Sequence, residues 1–229
     1  NQNLYFCRRV YPPTASQLKM STPVILSGFA DEAANEKLAV QQYSAFAALG
    51  LKYYSIRFVD AGEGIKNVMS LSDAEIQHLV KMQSDYGLSV SSIGSPIGKV
   101  KLLDIDDGTA NQFVPFEQYL KEDVATACDR AEAFGAKLIR GFAFYHPKGT
   151  KPEDHLDQVC DQLGQIAEHC DRRGLTFGLE VEANLVGQTG DLLAQIAGRV
   201  NHSAMLTIFD AANIVTQGFT ADETYAQYL

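Results

Sequence analysis

The sequence has no cluster of lysine or arginine: 19 basic residues stand against 28 acidic ones, for a formal net charge of -9. That balance argues against a nucleic-acid backbone or an anionic membrane surface as partner, since both select for cationic patches. No apolar run approaches the roughly 20 residues that a membrane span needs. The stretch Leu4-Tyr5-Phe6-Cys7 before Arg8-Arg9 is too short and wrongly ordered for a secretory signal. A cytoplasmic location is the default. Cysteine is scarce as well: Cys7, Cys128, Cys160 and Cys170 lack any CxxC spacing. Three of them fall on apolar helix faces, so reduced core thiols are expected rather than disulfides. What these absences leave is a protein that handles small molecules, with self-association into a homo-oligomer left open.

What is present is enough apolar material, 46% of 229 residues, for one sizeable core. Residues 1–22, with the loop-like Pro12-Pro13-Thr14-Ala15-Ser16, read as a leader or extension, and 23–229 as one domain. Within that domain, short β-rich apolar runs alternate with longer amphipathic stretches, as in βα units around a parallel sheet. Strands are predicted at Val24–Phe29, Tyr53–Val59, Ser89–Ile93, Lys137–Phe144, Thr176–Val181 and Met205–Phe209. Helices are predicted near 35–49, 72–86, 116–134, 153–172 and 189–199, with a last one beginning near Ala221. The helix over 153–172 shows the pattern best: Leu156, Val159, Cys160, Leu163, Ile166, Ala167 and Cys170 recur at helical spacing. Four helices end in a glycine leading into a strand, at Gly50, Gly87, Gly135 and Gly174, which suits a left-handed C-cap.

This rhythm fits either a (β/α)8 TIM barrel or a doubly wound sheet. A dinucleotide-binding doubly wound fold requires G-x-G-x-x-G after its first strand, and the turn here reads Ser27-Gly28-Phe29-Ala30-Asp31-Glu32. The fingerprint is missing, so an α/β TIM barrel is the better reading. About six βα units are present, and a barrel of about 250 residues would need two more. The pattern breaks off inside a helical stretch at Tyr228-Leu229, so the expectation is an incomplete barrel, inactive in this form.

In such barrels the chemistry lies at the carboxyl ends of the strands. Arg57, with Asp60 and Glu63, follows the second strand; Ser95-Pro96-Ile97-Gly98-Lys99 follows the third; Arg140 lies on the fourth, followed by Tyr145-His146. The fifth ends in Glu180-Val181-Glu182-Ala183-Asn184 and the sixth in Asp210-Ala211-Ala212-Asn213. Strand periodicity puts Glu180 and Glu182 on one face. Two carboxylates facing one interior repel unless a cation or arginine sits between them. The structural alternative is an ion-pair network with Arg57 and Arg140, or helix capping. Oxygen ligands of this kind suit a hard divalent ion rather than thiolate-bound zinc.

Glu180-x-Glu182-x-Asn184 with Gly187-Gln188-Thr189-Gly190-Asp191, and then Phe209-Asp210-Ala211-Ala212-Asn213, resemble the fifth- and sixth-strand signatures of the xylose-isomerase-like TIM barrel family of sugar phosphate isomerases/epimerases. Ser55-Ile56-Arg57 and Ser95-Pro96-Ile97-Gly98-Lys99 support the likeness, which runs from about Thr22 to Leu229. The resemblance implies a divalent metal (Mn2+, Mg2+, Co2+ or Zn2+) on Glu180 and Asp210, with a His and a Glu of two later strands completing the shell. It implies proton transfer at the carbon beside a sugar carbonyl through an enediolate, with Glu180 as the base. Arg57, Lys99, Arg140, His146, Glu182 and Asn213 would contact the sugar or sugar phosphate. Asn213 departs from the family, which often has His at that place. The rival readings are a non-catalytic sugar-binding or regulatory barrel and an endonuclease-IV-like nuclease. The acidic balance and the five histidines count against the nuclease.

Overall fold

A computed structural model of the chain describes residues 24–227; the extension read over 1–22, and Cys7 with it, lies outside the described residues. From the first helix onward, the alternation read from the sequence is the one the chain adopts. In order come α1 (Ala39–Ala48), β1 (Tyr53–Ile56), β2 (Phe58–Asp60), β3 (Ile65–Asn67), α2 (Asp73–Asp85), β4 (Ser89–Gly94) and α3 (Phe116–Tyr119). A π-helical turn, Leu120–Val124, carries α3 into α4 (Ala125–Phe134); β5 (Leu138–Gly141), α5 (Leu156–Asp171), β6 (Thr176–Glu180) and α6 (Gly190–Val200) follow. The described chain closes with β7 (Met205–Ile208), α7 (Ala211–Thr216) and α8 (Ala221–Gln227).

The main sheet has five parallel strands in the order β1-β4-β5-β6-β7. Each strand pairs with the next parallel strand along the chain, with no reversal of direction across the sheet. A doubly wound sheet reverses at its switch point, so this order is that of a TIM barrel wall. Gly50, Gly87, Gly135 and Gly174 all have φ between +63° and +72°, the left-handed conformation expected of glycine just past a helix end. Helix α5 buries Leu156, Val159, Leu163, Ile166, Ala167 and Cys170 on one stripe. Helix α2 begins in a reciprocal capping box: Ser72 Oγ accepts from Glu75 N, and Glu75 returns a carboxylate oxygen to Ser72 N at 2.8 Å.

Three expectations need correction. Val24–Phe29 forms no strand: Gly28 O accepts from Ser55 N and Phe29 makes a single bridge to Ser55, while Val24 and Leu26 are exposed. An apolar run is a strand only where a ladder takes up its backbone groups. The strand expected over 53–59 breaks after Ile56, and the chain leaves the sheet as the antiparallel hairpin β2–β3. Asp60 Oδ1 closes that hairpin by accepting from Gly62 N and Gly64 N, so this acid serves a turn. The strand expected over 137–144 stops at Gly141, because Phe142 N donates to Ile97 O instead of continuing the ladder.

The two faces of the sheet differ in kind. Toward the helices point Tyr54, Ile56, Ile93, Ile139, Phe177 and Leu179, all buried. The inner face carries the polar Ser55, Ser92, Arg140 and Glu180 beside the apolar Leu138 and Ile208, and together these border an open space.

Candidate functional site

Register assembles the site. Gly94, Arg140 and Gly178 stand side by side on β4, β5 and β6, and Glu180 pairs with Ile208 one step further toward the strand ends. At 94 and 178 neighbouring side chains pack against the bare backbone, Arg57 and Phe29 on Gly94 and Ile208 and Leu138 on Gly178, and beside them lies a cavity of about 330 Å3. Ser55, Ser92, Arg140, Glu180 and Asp210 line it, with Phe29 as an aromatic wall. Hydroxyls floor it: Ser27 and Ser91 lie 2.7 Å apart, and Ser55 and Ser92 2.5 Å apart.

Glu180 is 7% exposed. Its Oε1 accepts from Asn213 Nδ2 at 3.3 Å, and its Oε2 lies 3.6 Å from Arg140 Nε, an ionic contact too long for a hydrogen bond. Burial pushes its carboxyl above the ordinary value; Arg140 opposes this, while Asp210 and Glu182 add to it. Asp210 caps α7 by accepting from Asn213 N at 3.0 Å. Asn213 also donates to Val181 O at 3.0 Å, tying the ends of β6 and β7 together. Burial pushes the Arg140 guanidinium down, with Glu180 acting the other way.

The remaining residues singled out in the sequence divide between this site and its surroundings. Lys99 Nζ meets Glu182 Oε2 at 2.7 Å, just beyond the strand end. Arg57 lies beside Arg140 but pairs with Asp31 at 2.9 Å and Glu32 at 3.1 Å, not with Glu180 or Asp210. His146 is not brought to Glu180. It stacks on His155 with ring centres 6.2 Å apart and lines a separate loop cavity of about 500 Å3 with Asp107, Tyr145, Lys148 and Asn184. Sequence reasoning passed over Asp31, 2% exposed, and the rings of Phe29 and Phe142. An acid pair directly after the first apolar run was the available signal for Asp31.

Glu180 and Asp210 fit a hard divalent ion: oxygen donors, one deeply buried, turned to one cavity where their charges repel. Among the described residues, one group of three ligand types clusters elsewhere: Glu168, Asp171 and His202, at the opposite ends of the strands. There His202 Nδ1 accepts from Ala204 N, which leaves the ring proton on Nε2, facing Glu168 Oε2 at 3.3 Å. A neutral ring in that tautomer donates to Glu168 and offers that position no lone pair for a metal.

The chain belongs to the xylose isomerase-like TIM barrel family, whose model matches residues 43–228. No curated protein sequence matches it. Among solved structures, it is similar to a xylose isomerase-like TIM barrel protein from Mycobacterium smegmatis in complex with magnesium. The identity there is 18% and the TM-score 0.61, with 89% of this chain and 71% of that one covered. The probable 3-DHS dehydratase AsbF of Bacillus anthracis, involved in petrobactin synthesis, matches at 14% identity and TM-score 0.66, over 90% and 69% of the chains. D-psicose 3-epimerase of Clostridium cellulolyticum H10, solved with D-tagatose, matches at 14% and 0.62, over 88% and 69%. At such identities the likeness establishes the fold. Among the described residues, no helix is long and apolar enough to cross a membrane.

Proposed function

We propose that the protein is a metal-dependent isomerase or epimerase acting on a small sugar or sugar phosphate by proton transfer at the carbon next to its carbonyl. The observation that carries this reading is Glu180: a buried carboxylate at a strand end, raised by burial and sharing a cavity with Asp210. A base works best when its pKa lies near the working pH, and burial moves Glu180 in that direction.

Glu180 and Asp210 would hold the ion, as their donor chemistry suits it. Bound there, a divalent ion supplies Lewis-acid polarisation of the carbonyl and its neighbouring hydroxyl. Glu180 takes the proton from the substrate carbon, giving the enediolate. Asn213, donating to Oε1, fixes the rotation of the carboxyl group. The hydroxyl floor of Ser55 and Ser92 faces the substrate's own hydroxyls, and the Phe29 wall excludes water from one side. Two of the similar structures, a D-psicose 3-epimerase and a probable 3-DHS dehydratase, support work on small oxygenated substrates.

The test is deuterium exchange from solvent into D-fructose and D-tagatose with Mn2+, followed by NMR. Exchange is expected in the parent protein, and Glu180→Gln is expected to slow it by about 100-fold or more with an unchanged thermal melt. Equal exchange in the folded variant removes Glu180 as the base.

A further inference from the structure

Beside the Glu180 cavity lies a smaller pocket of about 150 Å3 lined by Arg57, Asn67, Lys99, Arg140 and Phe142, so that Arg140 borders both. Two aromatic rings organise the three cations. The guanidinium carbons of Arg57 and Arg140 lie 4.4 and 5.3 Å from the centre of Phe29, and Lys99 Nζ and the Arg140 carbon lie 4.3 and 4.6 Å from the centre of Phe142. Rings so placed hold cations in position without neutralising them.

The cations differ in what satisfies them. Arg57 has Asp31 and Glu32, and Lys99 has Glu182. Arg140, 7% exposed and therefore more than nine-tenths buried, has among the described residues a single ion pair, the 3.6 Å contact with Glu180, and its buried Nε finds no hydrogen-bond acceptor among them. A buried guanidinium without acceptors is costly, and neutral hydroxyls offset that cost poorly; a two-oxygen anion matches its forked donors. Asn67 uses its Oδ1 on Met69 N, which leaves its amide N–H groups as further donors at the pocket wall.

We propose that this pocket is an oxyanion subsite centred on Arg140, so that the substrate carries a terminal carboxylate or phosphate. The substrate class is then a short sugar acid or sugar phosphate. Its anionic end fills the smaller pocket and its carbonyl carbon reaches into the larger cavity at Glu180. That placement rests on the proposed function; the anion site itself rests on the geometry around Arg140.

Calorimetric titration without metal or turnover separates the two, using gluconate, glucose 6-phosphate and glucose as probes. At least one anionic probe is expected to bind about tenfold or more tightly than glucose, and Arg140→Gln to remove that preference while Arg140→Lys keeps part of it. A preference for gluconate identifies a carboxylate, one for glucose 6-phosphate a phosphate, and either supports the subsite. If Arg140→Gln does not fold, Lys99→Gln at the pocket rim is expected to weaken anion binding without affecting glucose. Glucose binding as tightly as both anions, no binding by any probe, or unchanged anion binding in a folded Arg140→Gln or Lys99→Gln protein overturns the proposal. Failure of deuterium exchange alone would leave the subsite standing, and failure here would leave Glu180 standing.

Discussion

Replacing Gly98 with alanine tests how tightly the site is tied to the backbone beneath it. Gly98 has φ +87°, and its N–H donates to the buried Tyr119 hydroxyl at 2.7 Å. A Cβ placed there would lie 1.9 Å from Phe142 O and 2.5 Å from Phe142 C, backbone atoms that have no rotamer by which to move aside. The left-handed conformation costs an alanine about 1–2 kcal/mol. Forcing the two segments apart adds about 1–3 kcal/mol, as for overpacked cores. The sum of about 2–5 kcal/mol corresponds to a fall in Tm of about 4–20 °C for a domain of this size. Gly50→Ala is the control: its φ is +72° but nothing lies within 4 Å, so only the conformational part applies, about 2–8 °C by the same conversion. Because Phe142 carries Lys99 and Arg140 on its ring, Gly98→Ala is also expected to weaken binding of anionic probes. Thermal unfolding followed by circular dichroism reads the first effect. A fall in Tm no larger than that of Gly50→Ala would refute the close-approach argument.

The capping box of α2 makes two further predictions. Ser72→Ala removes the side-chain acceptor for Glu75 N and should cost about 1 kcal/mol in chemical denaturation; a loss under about 0.3 kcal/mol would show that the cap contributes nothing. Glu75 is held down to about 2 from an ordinary 4.5, first by its hydrogen bond with Lys66 and then by Ser72 N. Because its folded pKa is depressed, its contribution is present above about 4.5 and is lost as pH falls from there to about 2. Asp107, held well below the usual carboxylate range by Lys101, acts in the same direction. Glu75→Gln should therefore flatten the acid side of the stability profile, and an unchanged profile counts against the pairing.

The repeat was legible because helical periodicity and the four helix-ending glycines are local signals, and each was realised as read. The hairpin β2–β3 was not, because Asp60 read as a strand-end acid until the two glycine N–H groups it accepts from were seen folded back onto it. Helix α7 was missed because six residues after a capping aspartate carry too little periodicity to register. Within the site, Glu180 and Asp210 were legible as acids closing apolar runs, and the cavity they share follows from the barrel order. Their partners were not. Arg57 takes Asp31 from 26 residues away, and the shortage of acceptors around Arg140 exists only once Phe29 and Phe142 have closed over it.

Calorimetric titration with Mn2+ tests the central assignment most directly. The parent protein is expected to bind the ion, and Glu180→Gln and Asp210→Asn each to weaken it by about tenfold or more, while Glu168→Gln at the opposite end of the strands changes nothing. Binding that survives both strand-end substitutions, or that disappears with Glu168→Gln, would contradict the placement of the metal at Glu180 and Asp210.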